Sequence, residues 1–363
     1  MKQFGSDQMI SLQSATVIRF AGKRRVLSTG PLGGGFSEHL TAAFNLDMKE
    51  ADTGECRLRA ATYPEHMALA AEELGLKAEC STGLGTAASM EHTVVKVKTY
   101  RELTVSALVT AGVDVNGGRA GDPASWYETE GGYDEVSPGT INIFLNINAG
   151  LSDSAMLQAL MVCTEAKAAA LQELLAPSLY SAGIATGSGT DGAVIITEPG
   201  ADIAFSDAGK HSKLGELIGL AVLEAVKEAL FLETGLCPAH QHAVLRRLGR
   251  FGVTENSLWG AYQRRAGESG MSRESFDRIL QTIDDEGTCV LYTSLYVHLA
   301  DQLDWGMIEP GEAFETAQEL LDRLDMGLSG KKEKRAENGG ESLMEHYVTG
   351  IIEKISRIWE ELR

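Results

Sequence analysis

Two kinds of hydrophobic pattern alternate over the first 236 residues of the chain. Short apolar runs rich in β-branched residues predict strands at 14–20, 25–28, 93–98, 103–110, 140–147 and 193–197. Longer segments with helical spacing predict helices at 64–74, 152–176 and 211–233. The two apolar runs beside Tyr100-Arg101-Glu102 are too close for a helical crossover, so they predict a hairpin. This part of the chain is expected to be α/β or α+β, with a mixed β-sheet layered with helices.

From residue 237 onward the pattern changes to helices alone. Apolar residues at helical spacing predict helices at 238–250, 255–267, 273–286, 288–304, 310–326 and 341–362. A total length of 363 residues is usual for two domains. We therefore expect a mixed domain over 1–236, an all-α extension over 237–328, a charged Gly-rich linker over 329–340 and a C-terminal amphipathic helix over 341–363.

The C-terminal helix must bury an apolar face. Its apolar residues recur at helical spacing, at Leu343, Tyr347, Ile351, Ile355, Ile358 and Leu362. Such a face docks either on its own domain or on a partner subunit, so a homo-oligomer stays open.

A strand, a helix and a polar glycine loop follow one another between residues 139 and 197. The strand is apolar but carries Asn142 and Asn146, whose amides need partners inside a core. The helix is Ala-rich and ends before Pro177. In the loop Ala185-Thr-Gly-Ser-Gly-Thr-Asp-Gly192, the glycines let backbone amides and short side chains approach a ligand closely.

Four sequence blocks carry a resemblance to one known family. They are Leu27-Ser-Thr-Gly-Pro-Leu-Gly-Gly-Gly35, Val109-Thr-Ala-Gly-Val113 with Arg119-Ala-Gly-Asp122, the strand–helix–loop unit with Thr164-Glu-Ala-Lys167 on its helix, and Gly209-Lys-His-Ser-Lys-Leu-Gly-Glu-Leu-Ile-Gly219. In this order they cover about residues 26–232 and resemble the adenosylcobinamide amidohydrolases of corrinoid salvage, the CbiZ family. Two features depart from the family pattern: the turn Asp114-Val-Asn-Gly-Gly118, which leaves the role of Asn116 open, and everything after Leu236.

The resemblance implies a hydrolase that acts on a linear amide bond. It would cleave the aminopropanol amide of adenosylcobinamide and release adenosylcobyric acid and 1-amino-2-propanol. The cobalt-containing corrinoid is then the substrate, and no further cofactor is required. Two alternatives stay open, a corrinoid-binding or delivery module without catalysis and an amidase that acts on a complete cobamide, because specificity depends on pocket shape.

Amide hydrolysis needs an activated nucleophile, donors for the oxyanion and a proton for the leaving amine. The expected catalytic residues are Asp191, His211, Glu165 and Thr190. Three of the four also have a structural interpretation, because Asp191 can bond its own turn, His211 can be a surface or capping histidine, and Glu165 shares a solvated stripe with Gln158 and Gln172. No nucleophile can be assigned from spacing, since the chain has no GxSxG elbow.

A second group of residues is expected to bind the substrate. It comprises Asn142, Asn116, Gly33, Gly34, Thr110, Asp122, Thr186 and Ser188. The glycine loops follow apolar runs, as do ligand-binding loops at the strand ends of α/β sheets. Asn142 could instead satisfy a neighbouring backbone group.

Composition narrows the class of ligand. A formal net charge of -19 argues against nucleic acid and anionic membrane surfaces as partners. The five scattered cysteines suggest neither a disulfide framework nor a zinc ribbon, and the start of the chain does not resemble a secretory signal, so a cytoplasmic protein is expected.

The group Cys237, His240 and His242 precedes no second ligand cluster, so no metal site is assigned. Gly83-Leu-Gly-Thr-Ala-Ala88 has glycine spacing similar to a dinucleotide fingerprint, but no clear strand is predicted before it.

Overall fold

A computed structural model describes residues 2–49, 56–124, 139–266, 270–325 and 342–362. The chain divides into two compact units, Met1–Cys237 and Pro238–Arg363. This division lies next to the boundary predicted at Leu236, whereas the predicted linker over 329–340 falls outside the described residues.

The first unit contains two large sheets, two two-stranded sheets and three α-helices among its described residues. Its strands are β1 (Lys2–Phe4), β2 (Asp7–Ser11), β3 (Ala15–Arg19), β4 (Arg25–Ser28), β5 (Gly35–Ser37), β6 (Ala42–Asp47), β7 (Ser81–Thr86), β8 (Val94–Tyr100), β9 (Leu103–Ala111), β10 (Gly117–Gly118), β11 (Ile141–Ile147), β12 (Gly150–Leu151), β13 (Gly187–Ser188), β14 (Gly192–Thr197) and β15 (Ala204–Phe205). Its α-helices are α1 (Tyr63–Glu73), α2 (Asp153–Glu173) and α3 (Lys213–Thr234).

The larger, central sheet has the strand order β5-β4-β14-β11-β9-β8, and the second sheet has the order β1-β2-β3-β6-β7. Each sheet contains one parallel pair, β11 with β14 and β6 with β7, while its other pairs are antiparallel. A parallel pair needs a crossover, which α2 and α1 supply. The predicted mixed sheet layered with helices is confirmed, as is the hairpin of β8 and β9.

The layers follow from the alternation of side chains along β11. Ile141, Ile143 and Leu145 belong to a core shared with α2 and α3, while Phe144 belongs to a core shared with the second sheet. Helix α1 packs on the outer face of that second sheet. The central sheet is therefore buried on both faces, which explains why β11 is apolar at nearly every position.

Most of the second sheet is not predicted from the sequence. Of its strands only β3 has a recognisable apolar run, because the others are short or carry small residues. Strand β7 contains Gly83, where a Cβ atom would lie 2.3 Å from the Phe44 ring. The segment similar to a dinucleotide fingerprint is thus part of a buried strand, and its first glycine makes room for an aromatic ring.

The second unit contains helices joined by turns, and no strand is present among its described residues. Its α-helices are α4 (Val244–Leu248), α5 (Glu255–Ala266), α6 (Arg273–Asp284), α7 (Gly287–Asp304), α8 (Pro310–Asp325) and α9 (Leu343–Glu361). The predicted helix over 238–250 is wrong in length, because residues 238–243 form turns and the helix begins at Val244. Helix α9 buries Tyr347, Ile351 and Ile355 in a core with the other helices of its own unit. Among the described helices of the whole chain, none is long and apolar enough to cross a membrane.

A buried ion pair joins the two sheets of the first unit. The guanidinium of Arg24 donates to both oxygens of Asp7, at 2.6 and 3.2 Å, and Asn146 donates to Asp7 at 2.9 Å. Arg24 and Asp7 are only 4% and 0% exposed. The predicted cost of Asn146 in a core strand is thus met by an acceptor in β2.

Breaking this pair should destabilise the first unit strongly. We expect Arg24→Met to lower the free energy of unfolding by about 3–5 kcal/mol, because it leaves the Asp7 charge buried and short of donors. The matched control is Lys23→Met, which removes an exposed ion pair with Glu38 and should leave the free energy of unfolding nearly unchanged. Hydrogen exchange of peptides from β2 and β3, followed against urea concentration, measures both changes. Equal small effects would contradict the prediction.

Candidate active site

Four of the polar segments identified in the sequence meet at one edge of the central sheet, here called the polar edge. Strands β4 and β9 end there, whereas β11 and β14 begin there. The backbone N–H of Gly112 donates to the carbonyl of Thr140 at 3.0 Å, and that of Thr29 donates to the carbonyl of Ala193 at 3.0 Å. The polar edge thus brings together residues 29–35, 110–122, 139–142 and 186–192, which are far apart in sequence.

Asp191 lies at the centre of the polar edge. Its Oδ1 accepts hydrogen bonds from the Ile141 amide at 2.9 Å and the Ser188 hydroxyl at 2.6 Å. Its Oδ2 accepts from the Ser188 amide at 3.1 Å and from the ammonium of Lys167. A carboxylate offers about four acceptor positions, so this carboxylate is fully occupied. Among its donors, the Ser188 hydroxyl carries a proton that can transfer without disturbing the backbone.

Lys167 brings a positive charge into the apolar packing of α2. The residue lies on the buried side of the helix, near Cys163, Ala166 and Ala170. The side chains of Lys167 and Asp191 are 11% and 15% exposed. A charge buried to this extent is tolerated when it is paired and hydrogen-bonded, so each of the two groups holds the other in place.

The hydroxyl groups beside Asp191 tie the loop to the strand before it. Thr190 is exposed, and its hydroxyl donates to the carbonyl of Gly139 at 2.8 Å. The Thr140 hydroxyl donates to the carbonyl of Thr190 at 2.5 Å. The amide of Thr190 donates to the Ser188 hydroxyl oxygen at 3.3 Å. These bonds fix the loop while its tip, Gly189 and Thr190, faces solvent.

A second set of predicted residues lies where β10 pairs with β13. Asn116 donates to the carbonyl of Gly139 at 3.1 Å and accepts from the Tyr180 hydroxyl at 2.9 Å. The Thr186 hydroxyl oxygen accepts from the Ala120 amide at 2.9 Å. Asn116 is therefore part of the polar edge despite the unusual turn around it.

Asp122 anchors the same pair of loops. Its Oδ2 accepts from the Ser178 hydroxyl at 2.6 Å and from the Arg119 amide at 2.7 Å. Burial on its own would raise the pKa of this carboxyl, but the hydrogen bonds from Ser178, Ser181 and the Arg119 amide hold it below its ordinary value. Asp122 is thus a carboxylate that orders the loops.

Asn142 and Thr110 lie deeper, between the two sheets. Asn142 donates to Asn45 Oδ1 at 2.8 Å and to the carbonyl of Gly85 at 2.9 Å, while Asn45 donates to the Thr110 hydroxyl oxygen at 2.9 Å. Asn142 Oδ1 is buried and has no hydrogen-bond partner among the described residues. The structural interpretation of Asn142 is therefore confirmed for its nitrogen, which satisfies a backbone carbonyl, while substrate binding through its oxygen stays a prediction.

Gly33 and Gly34 lie so close to neighbouring backbone atoms that no side chain would fit at either position. A Cβ atom at Gly33 would lie 2.3 Å from the Ser81 carbonyl oxygen, and one at Gly34 would lie 2.3 Å from that of Gly30. Gly33 also has a φ of +59°, which side chains rarely adopt. Both glycines are exposed, so their loop packs on β7 with one side and faces solvent with the other.

His211 lies at the other end of the sheet. It precedes the N-cap of α3, whose C-terminal end is close to the polar edge, because Gly112 lies beside Glu233. A helix of 22 residues is about 33 Å long. His211 is exposed, and the structure does not bring it to Asp191.

Glu165 also lies away from Asp191. It is on the exposed side of α2, opposite Lys167, and pairs with Lys210 at 2.6 Å. The acid–base residues expected from the sequence therefore do not form one cluster. His211 lies at the start of α3, far from Asp191, and Glu165 lies on the face of α2 opposite Lys167.

Three groups at the polar edge were not among the predicted site residues. Lys167 is the last residue of the block Thr164-Glu-Ala-Lys167 and is not among the predicted catalytic residues, although a lysine within the Ala-rich stripe of a helix indicates a buried charge that needs a partner. Asn45 and Tyr180 come from segments without a strand or motif prediction. Only the three-dimensional arrangement identifies them.

The family comparison agrees with the resemblance drawn from the sequence. The family model described as adenosylcobinamide amidohydrolase, CbiZ, matches residues 2–238. An uncharacterized protein of Methanocaldococcus jannaschii is 33% identical over 236 residues, which are 62% of this chain and 88% of that protein. A crystal structure of a Pyrococcus horikoshii protein aligns with 61% of this chain and 78% of its own, at 14% identity and a TM-score of 0.30. The chain belongs to the adenosylcobinamide amidohydrolase (CbiZ) family.

Proposed function

We propose that the first unit hydrolyses the aminopropanol amide of adenosylcobinamide and yields adenosylcobyric acid and 1-amino-2-propanol. Corrinoid salvage is the purpose this reaction would serve, because the acid is a precursor from which a cell can rebuild its own cobamide. The proposal rests on the family match over residues 2–238 and on the hydrogen-bonded set of Ser188, Asp191 and Lys167 at the polar edge.

In this proposal the Ser188 hydroxyl attacks the carbonyl carbon of the scissile amide. Its proton passes to Asp191 Oδ1, the atom to which it already donates at 2.6 Å. A C–O bond forms, the C–N bond breaks, and the departing amine takes up a proton through the Asp191–Lys167 pair. Water then cleaves the serine ester and regenerates the hydroxyl. Lys167 orients Asp191 through their hydrogen bond, and the exposed loop tip with Thr190 contacts the carbonyl oxygen.

The remaining polar groups of the edge hold the corrinoid in this proposal. Asn116, Thr186 and Asp122 order the loops that face solvent, and Asn142 and Thr110 support the strand ends from below. The exposed side of the loop carrying Gly33 and Gly34 offers backbone groups to the amide side chains of the ligand. The shape of the same loops would determine whether the protein distinguishes adenosylcobinamide from a complete cobamide.

Ser188 and Asp191 variants test the chemistry. We expect Ser188→Ala and Asp191→Asn each to lower kcat for adenosylcobinamide by about 10²–10⁴-fold, the usual contribution of a proton-transfer group. Matched controls are Ser206→Ala and Asp202→Asn, two exposed residues on either side of β15, which should leave kcat unchanged. Products are followed by chromatography and mass spectrometry.

The outcomes separate the function from the mechanism. If Ser188→Ala retains turnover while Asp191→Asn loses it, Asp191 activates water and Ser188 is not the nucleophile. If the unaltered protein binds adenosylcobinamide and forms no product, the chain is a corrinoid-binding module and the proposed hydrolysis is wrong.

His211 and Glu165 variants test the acid–base set expected from the sequence. We expect His211→Ala and Glu165→Gln to lower kcat less than tenfold, because α3 separates His211 from Asp191 and Glu165 faces away from Lys167. Losses as large as that of Asp191→Asn would restore these residues to the catalytic machinery.

Cys163 is a potential nucleophile that the geometry disfavours. It lies on α2 one turn before Lys167, and burial raises the pKa of its thiol to about 12, an effect that Lys167 opposes only in part. Below pH 10 the reactive thiolate is therefore nearly absent in the folded protein. We expect iodoacetamide at pH 8 to modify the exposed Cys56 and to leave Cys163 and turnover intact, as measured by peptide mass spectrometry. Rapid inactivation with label on Cys163 would contradict this.

A further inference from the structure

A histidine–carboxylate pair lies near the polar edge and takes no part in the proposed hydrolysis. His92 Nδ1 lies 2.6 Å from Glu233 Oε2, and the Ser89 amide donates to the same oxygen at 3.0 Å. Glu233 is 15% exposed, whereas the His92 side chain is 37% exposed. Two donors thus anchor the carboxylate, and the carboxylate holds one side of an imidazole ring that is otherwise open to solvent.

The position of this pair relative to Asp191 follows from the sheet. A Cβ atom at Gly112 would lie 3.6 Å from Glu233 Cγ, and Gly112 directly follows β9. Strand β11 separates β9 from β14, which follows Asp191. With neighbouring strands about 4.8 Å apart, the backbone at Gly112, beside Glu233, and the backbone at Asp191 are about 10 Å apart across the same edge. A macrocycle with an amide arm is large enough to contact both.

The hydrogen bond at Nδ1 determines what His92 can bind. A carboxylate at Nδ1 favours the tautomer with its proton there and leaves the Nε2 lone pair free. Among the described residues, Nε2 has no hydrogen-bond partner. Metal-binding histidines usually have this arrangement, in which a carboxylate fixes the ring and makes the opposite nitrogen a stronger ligand.

We propose that His92 is the axial ligand to the cobalt of the bound corrinoid, and that Glu233 is its positioning residue. This inference rests on the proposed function, which supplies a cobalt-containing ligand at the polar edge. Nε2 donates its lone pair to cobalt and the water on that face of the corrin leaves, with no change of oxidation state. The ligand then sits with cobalt at one side of the edge and its scissile amide at the other.

The surrounding charge suits a cationic metal centre. Asp47, at the end of β6, is close enough to Glu233 for the two carboxyl groups to interact. Burial raises the pKa of Asp47, the amide and the charge of Lys49 oppose the rise, and the negative charge of Glu233 adds to it. A cationic cobalt corrin would relieve this repulsion, whereas an anionic ligand would increase it.

Cobalt(II) cobinamide with the full-length protein provides a test that does not depend on turnover. Coordination by imidazole should add nitrogen hyperfine splitting to the electron paramagnetic resonance spectrum, and its multiplicity should change when the protein is labelled with ¹⁵N-histidine. His92→Ala should abolish the splitting, and Glu233→Gln should weaken cobinamide binding about 10–100-fold. The matched control is His298→Ala, an exposed histidine of the second unit, which should keep the splitting.

The outcomes distinguish this inference from the proposed function. Cobinamide that is bound and hydrolysed without nitrogen splitting would overturn the role of His92 and leave the hydrolase proposal standing. Splitting that survives in His92→Ala would assign the ligand to another histidine and overturn the inference. Absence of any binding or hydrolysis by the unaltered protein would remove both proposals together.

Discussion

The pairing of Lys167 with Asp191 is the constraint around which the polar edge is organised. An ammonium group on the buried side of α2 requires an opposite charge, and a carboxylate at the start of β14 supplies it. The same carboxylate accepts hydrogen bonds from the amide of Ile141 and from the amide and hydroxyl of Ser188. One ion pair thus fixes a helix, two strand starts and a glycine loop relative to each other.

The sequence predicts this part of the fold because its pattern is local and strong. Strand β11, helix α2 and strand β14 each carry a clear apolar period, and their connection requires a parallel pair. The second sheet is not predicted because its strands lack such a strong local pattern. Its strands are short, and β7 replaces the expected bulky residues with Gly83 and Gly85, whose space is taken by Phe44, Tyr63 and Met48.

The candidate site shows the same division between local and distant information. Glycine loops at strand ends can be recognised from their composition, and the structure gathers three of them, together with the start of β11, at one edge. The spacing of residues in the sequence does not show which polar side chains meet there. Lys210 and His211 belong to a family-like sequence block, yet they lie at the far end of α3. Lys167 and Glu165 differ by two positions and face opposite ways because a helix turns about 200° over two residues.

The asparagines of β11 have a consequence for the order of folding. Lys167 and Asp191 are 24 residues apart, so their contact closes within one strand–helix–strand unit. Asn142 bonds Asn45, which is 97 residues away in sequence, and Asn146 bonds Asp7, which is 139 residues away. Contacts that close long loops form at a greater entropic cost and later than local ones. Until the second sheet docks, the inner face of β11 carries unpaired amides, and these polar groups oppose its association with other apolar surfaces during that interval.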